Sequence, residues 1–208
     1  MAEERATIPR GRHAPPLEVR LGVQRERLFE AAASVFARSG YAEASAESIS
    51  REAGMSKATF YEHFANKEEC ILALFDEGAR TVLTAMGEAT AGAGPDPTAR
   101  MRAGIATFLE QLASHPNESQ TLLIEIIGAG PRATERRDAI LQGFADALYE
   151  EAEHAGSGFA SPEDAFAVIA AGAELASRQI RLGRPAGVGE LEPVIERLLL
   201  GVLGQNRG

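Results

Sequence analysis

Three sets of residues in this chain have types and spacings that can do chemistry. In IIGAGPRATERR, Gly128, Gly130 and Ala133 fit the G-x-G-x-x-G/A spacing with which a backbone loop cradles a dinucleotide pyrophosphate. His13, His63, His115, His154 and the single Cys70 are the nitrogen and sulfur side chains able to hold a metal. In SISREAGMSKATFYEHFANKEE, residues 48–69, Ser56, Lys57, Thr59, Tyr61, His63 and Lys67 surround Phe60 and Phe64, four residues apart. That spacing makes a helix with one buried side and one polar side, able to meet phosphates and base edges.

Context removes the first two sets. A dinucleotide loop needs a strand before it, a helix after it and a second strand ending in an acid about 20 residues on. Glu150 and Glu151 stand near that distance, but FADALYEEAEHA is helical in composition. SQTLLIEII has no second strand to pair with, and a lone strand–helix unit cannot bury a sheet. GAGP reads better as a helix ending at Gly128 and a new helix with Pro131 in its first turn. The histidines show no metal-ligand spacing, Cys70 falls in an apolar helix, and no nucleophile–base set is visible. No catalytic residue, metal or cofactor is therefore expected, and the chain does not read as an enzyme.

The elements that must position the third set come from periodicity. With 45% hydrophobic residues, rich in Ala and Leu, and no convincing alternating strand, the 208 residues read as all-α. Residues 1–22, with prolines at 9, 15 and 16, show no helical period and read as a flexible basic arm carrying Arg5, Arg10, Arg12 and Arg20. From Arg25, the residues Leu28, Ala32, Val35 and Phe36 mark an amphipathic helix that stops at RSGY. Ser45 is placed to N-cap a second helix running to about Ala53, Ser56 a third, and Asn66 a longer one. Beyond it, Gly/Pro breaks separate helices near 67–90, 97–114, 118–127, 131–154, 162–182 and 190–203.

One cysteine forms no intrachain disulfide, the N-terminus has no apolar signal-like core, and the apolar runs are too short to span a bilayer. A cytoplasmic protein is expected. Net charge is −9, which argues against a nucleic-acid partner until its distribution is seen. Residues 1–69 are nearly neutral, with ten Lys and Arg against eleven Asp and Glu; the acidity lies in the remainder.

GYAEASAESISREAGMSKATFYEHFANKEE resembles the DNA-binding head of the TetR (tetracycline-repressor-like) family of bacterial transcriptional regulators. The matching features are Gly40–Tyr41, Ile49, Ala53–Gly54, Ser56–Lys57, Thr59–Phe60–Tyr61, His63–Phe64 and Lys67–Glu68. The resemblance covers about residues 25–70; beyond them it rests on helix number and length. It implies a three-helix helix-turn-helix head on a C-terminal body of about six helices, homodimeric through a four-helix interface. It also assigns Ser45, Ser56, Tyr61, His63 and Lys67 to phosphate contacts, which suits helix N-termini in any case.

The residues themselves orient the third helix. At 100° per residue, Phe60 and Phe64 face inward while Ala58 and Glu62 face the major groove, flanked by Thr59 and Tyr61. Ala58 permits close approach to base edges, the Thr59 methyl can touch a thymine methyl, and Lys57 can reach a phosphate. Glu62 either accepts from cytosine N4 or remains solvated or paired with an arginine.

In the body, Phe166, Ile169, Ala170 and Ala173, then Leu191, Val194, Ile195, Leu198 and Val202, form two apolar stripes. In a lone domain they would be core; the resemblance implies that they form the dimer interface. If the family plan holds, the middle helices enclose a pocket for a small, hydrophobic effector, with Met86, Phe108, Leu112, Ile126 and Phe144 as lining residues that are equally explicable as core. Glu125 is either its polar anchor or a solvated edge.

The expected organisation is thus an arm (1–22), a DNA-binding domain (23–67) and a ligand-binding and dimerisation domain (68–208). The expected function is a ligand-responsive regulator, a repressor on family grounds, binding palindromic operator DNA. The alternative is a helical ligand-binding or interaction module whose head no longer uses DNA.

Overall fold

The structure, a computed structural model, describes residues 16–154, 156 and 158–204. Arg5, Arg10 and Arg12 of the expected arm lie outside the described residues. Among the described residues nine α-helices run in order: α1 Leu17–Glu43, α2 Ala46–Glu52, α3 Lys57–His63, α4 Lys67–Gly92, α5 Pro97–Ser114, α6 Pro116–Leu123, α7 Pro131–His154, α8 Pro162–Arg181 and α9 Glu192–Gly204. Two 3-10 turns, Glu125–Ala129 and Pro185–Leu191, join α6 to α7 and α8 to α9. Among the described residues there is no strand, and no helix is long and apolar enough to cross a membrane.

Short side chains start the helices where the sequence places them. Ser45 and Ser48 form a reciprocal capping box at α2, and Ser161 and Asp164 do the same at α8. Ser56 accepts from Thr59 N at 3.0 Å, Asn66 from Glu69 N at 2.9 Å and Asp96 from Ala99 N at 3.0 Å.

Two boundaries differ from the expectation. α1 begins at Leu17, inside the segment read as an arm, with Arg20 N donating to Pro16 O. Its first turns carry no apolar period, and their apolar side chains are largely open: Leu17 is 61% exposed and Val19 52%. The helix expected over 118–127 stops at Leu123, and a 3-10 turn follows. The tighter winding drives Ile126 into the core at 0% exposure and turns Glu125 toward the head. After it Gly130, at φ 107°, breaks the chain before α7 starts at Pro131. The glycine loop is thus a junction between helical segments.

The head is built on Leu28, Ala32, Val35, Phe36, Ile49, Phe60 and Phe64, with Met55 at its edge. The same core continues into the body through Ile71, Leu74 and Phe75 of α4, through Ile126 and Ala129, and through Ala133 of α7. Head and body are therefore joined by packing as well as by chain. Two further apolar clusters lie in the body, one around Leu109, Leu123, Ala176 and Val188, the other around Met101, Ala145, Phe159 and Leu199.

Candidate nucleic-acid interface and body cavity

α3 has only seven residues and is too short to hold itself, so its orientation comes from its buried side. Phe60 is 0% exposed and packs on Phe64 with ring centroids 5.5 Å apart; Phe64 meets Phe29 of α1 at 5.6 Å. The opposite side is open. Lys57, Ala58, Tyr61 and Glu62 are exposed, Tyr61 at 51%. Ser45 and Ser56, exposed at the starts of α2 and α3, spend one acceptor position each on their caps. Thr59, half-buried, shares a 2.9 Å hydrogen bond with Ser56. Lys57 Nζ lies 6.0 Å from the Tyr61 ring centroid, so the two long side chains stand together on one face.

Two charged groups are held differently from a simple surface. His63 Nε2 lies 3.4 Å from Gln24 Oε1 of α1. Its pKa is lowered, mainly because burial penalises the imidazolium and also because Arg25 is near; Glu62 works the other way. Arg25 in turn covers the Phe29 and Phe64 rings at 4.9 and 5.0 Å. Lys67, expected at a phosphate, donates to Tyr41 O at 2.7 Å and Ala42 O at 3.1 Å, above the Tyr41 ring. The end of α1 leaves carbonyls without intrahelical donors, and the first residue of α4 meets them. Lys67 thus clasps the head to α4. Arg27 does similar work, donating to Ala53 O at the end of α2.

A second clasp falls on Glu125, for which the sequence leaves open a pocket anchor or a solvated edge. Its Oε2 accepts from Tyr41 N at 2.7 Å and its Oε1 from Gln120 Nε2 at 3.0 Å. α1 breaks at Gly40, whose φ of 76° and ψ of 158° suit only glycine, so Tyr41 N–H begins a new turn without a helical acceptor. The carboxylate supplies it from the body. Neither Glu125 nor Ile126 lines the body cavity, because the 3-10 turn points both of them at the head.

That cavity, about 360 Å³, lies among α4, α5, α6, α7, α8 and α9. Met86, Phe108, Leu112 and Phe144 line it, with Phe108 and Phe144 meeting edge to face at 6.3 Å. Its polar side chains are Thr90, Arg137 and the ion-paired Arg100 and Glu151. Leu122 of α6 faces both this cavity and a groove of about 390 Å³ between α1 and the body. α6 approaches α4 so closely that a Cβ on Gly78 would fall 2.8 Å from Leu122 Cδ1.

The two apolar stripes of the last helices divide. Ala173, Leu191 and Ile195, expected at a dimer interface, are 2, 7 and 5% exposed and belong to the chain's own core against α5 and the second 3-10 turn. Gly172 faces Ile195 of the same chain, so the small residues there bring α8 onto α9. Val194 and Leu198 are 39 and 37% exposed, and Phe166, Ile169, Ala170 and Val202 are half-buried. Leu182 and Leu200, which the stripe pattern missed, are also exposed. The charged ends of the cavity were missed too, although Arg137, Ile140, Leu141, Phe144, Leu148 and Glu151 share one helical face in the sequence.

Residues 28–74 match the sequence profile described as "Bacterial regulatory proteins, tetR family". Over 76 residues the chain is 33% identical to the HTH-type transcriptional regulator EthR of Mycolicibacterium smegmatis, a match spanning 36% of this chain and 35% of that relative. The fold is similar to that of the fatty acid degradation regulator FadR from Bacillus halodurans, with a TM-score of 0.78 at 20% identity, covering 86% of this chain and 95% of that one. The transcriptional regulator FadR from Bacillus subtilis, solved in complex with stearoyl-CoA, gives 0.70 at 20% identity, covering 85% and 97%. A TetR-like transcriptional regulator from Rhodococcus sp. RHA1 gives 0.65 at 17% identity, covering 88% and 97%.

Proposed function

We propose that this chain, whose residues 28–74 match the tetR family profile and whose fold is similar to that of TetR-like regulators, is a ligand-responsive transcriptional regulator of that family: a cytoplasmic repressor that binds palindromic operator DNA as a homodimer. A small hydrophobic effector releases it. The observation that carries this reading is the two-sided α3. Phenylalanines hold it from behind while its capped N-terminus, Lys57, Ala58, Tyr61 and Glu62 stay open to a groove.

In this reading Ser45, Ser56, Lys57, Tyr61 and His63 take phosphates, and Ala58, Thr59 and Glu62 meet base edges. Lys67 positions the head through Tyr41 and Ala42. Residues 17–67 act as the reading unit, residues 68–208 as the sensing and pairing unit, and residues 1–16 as an arm toward DNA. The exposed side of α8 and α9, with Val194 and Leu198, pairs with a second copy so that two heads meet two half-sites.

The effector occupies the apolar body cavity; the stearoyl-CoA complex of the Bacillus subtilis protein supports a lipid-like occupant. An occupant that presses on Leu122 moves α6, and the Glu125–Tyr41 hydrogen bond carries that displacement to α1. Release then requires the occupant to favour a head spacing that misfits the operator.

Selection from a random duplex pool, followed by fluorescence anisotropy on the enriched sequence, tests the reading. A two-fold-symmetric site, binding that weakens steeply with salt, and loss of binding in Tyr61→Ala with the fold intact are expected. Enrichment of no sequence, with no salt-dependent binding, would leave the interaction-module alternative.

A further inference from the structure

We infer that the body cavity takes a linear, long-chain carboxylate, lying along α7 with its acid group at Arg137 and its tail toward the Arg100–Glu151 pair. The inference rests on the effector-binding role proposed above and specifies its ligand. The shape comes from the helices. Residues of α7 facing the cavity run from Arg137 to Glu151, and at 1.5 Å per residue that stretch is about 21 Å long. On α4 the lining runs from Phe75 to Thr90, about 22 Å. The two helices point the same way, because Arg132 bonds Glu69 and Arg136 bonds Asp76 at successive levels. A volume of about 360 Å³ drawn out over that length is a tube. A rigid fused-ring system is too wide for it. With C–C bonds of about 1.5 Å, an extended chain advances about 1.25 Å per carbon, so roughly sixteen carbons fill it.

The charges set the direction. Along the α7 stripe only the two ends are charged. At the far end Arg100 donates through Nε and Nη2 to the two carboxylate oxygens of Glu151, so that pair is already neutral. At the head end Arg137 has Asp138 at 3.7 Å as its ion-pair partner, and the Asp138 side chain is 64% exposed. Arg137 therefore offers a cation to the cavity without a close carboxylate covering it. An anion leaving water needs such a partner, whereas at the far end it would have to displace Glu151. The acid group consequently lies at the level of Phe75 and Leu122, next to the wall that borders the head.

Titration calorimetry on the full chain, with octanoate, laurate, palmitate, 1-hexadecanol and the compact acid cholate, each below its aggregation limit, tests this. Affinity is expected to rise severalfold per added pair of methylenes up to about sixteen carbons, with palmitate at least tenfold tighter than hexadecanol. Arg137→Gln should abolish the preference for acid over alcohol while hexadecanol still binds, which also reports that the variant is folded. Arg137→Lys should retain most of the preference. Gly104→Leu, which fills the tube beside Thr90 and Met86, should move the optimum to a shorter chain.

Cholate binding as tightly as palmitate, no dependence on chain length, or an unchanged acid preference in Arg137→Gln would each overturn the inference. Operator release is measured separately. Release by an unrelated compound, with no palmitate binding, sinks the inference and spares the regulator. Palmitate binding by a chain that selects no DNA sinks the regulator and spares the ligand class.

Discussion

Replacing Glu125 with alanine removes a carboxylate that joins the body to the break in α1. The hydrogen bond lost is short, 2.7 Å from Tyr41 N to Oε2, and it satisfies a backbone donor that Gly40 has taken out of the helical ladder. A hydrogen bond to a charged group contributes about 1.5–3 kcal/mol, and an orphaned donor costs about 1–3 kcal/mol depending on how well water reaches it. The site is half-buried, so water replaces part of the bond and about 2 kcal/mol is the expected net loss. In a chain of this size that lowers Tm by about 4–8 °C. Glu125→Gln keeps an acceptor without the charge and should lose about half as much. Thermal unfolding followed by circular dichroism reads both values. The same variants, assayed on operator DNA, should loosen the link between cavity and head: effector concentrations that release the native protein should release Glu125→Ala less completely. If Glu125→Ala melts within about 1 °C of the native chain, the clasp carries no free energy and the coupling route through it is wrong.

Phe60→Ala should destabilise the head by about 3–5 kcal/mol in urea unfolding, since the ring is fully buried, whereas Tyr61→Ala should change stability by less than about 0.5 kcal/mol and weaken operator binding at least tenfold in anisotropy. His63 has a folded-state pKa below its ordinary value, so the unfolded chain takes the proton more readily; its contribution to stability is complete above the ordinary histidine pKa and is lost as pH falls below it. Phosphate contact favours the imidazolium, so operator affinity should rise between about pH 8 and about pH 6 in the native protein and stay flat in His63→Gln. Leu198→Glu, on the exposed side of α9, should give a folded monomer in sedimentation and lose operator binding, because one head reads only one half-site.

Much of this protein was legible without coordinates because it is local. Ser45, Ser56, Asn66, Asp96 and Ser161 cap their helices through hydrogen bonds spanning three residues, and such bonds depend on little beyond the neighbouring sequence. Phe60 and Phe64 had to face one way for the same reason, which left Ala58 and Glu62 facing the other. What the tertiary structure decided is which distant group each side chain meets. Glu125 finds Tyr41 across 84 residues and Lys67 finds the end of α1 across 26, contacts that no periodicity announces. An apolar stripe states that a face is buried but not against what, so Ala173, Leu191 and Ile195 went to the chain's own core while Val194 and Leu198 stayed outside. Arg137 and Glu151 ended up facing a cavity rather than solvent because α4 and α5 cover that face of α7, and the packing of other helices is not written in the helix itself.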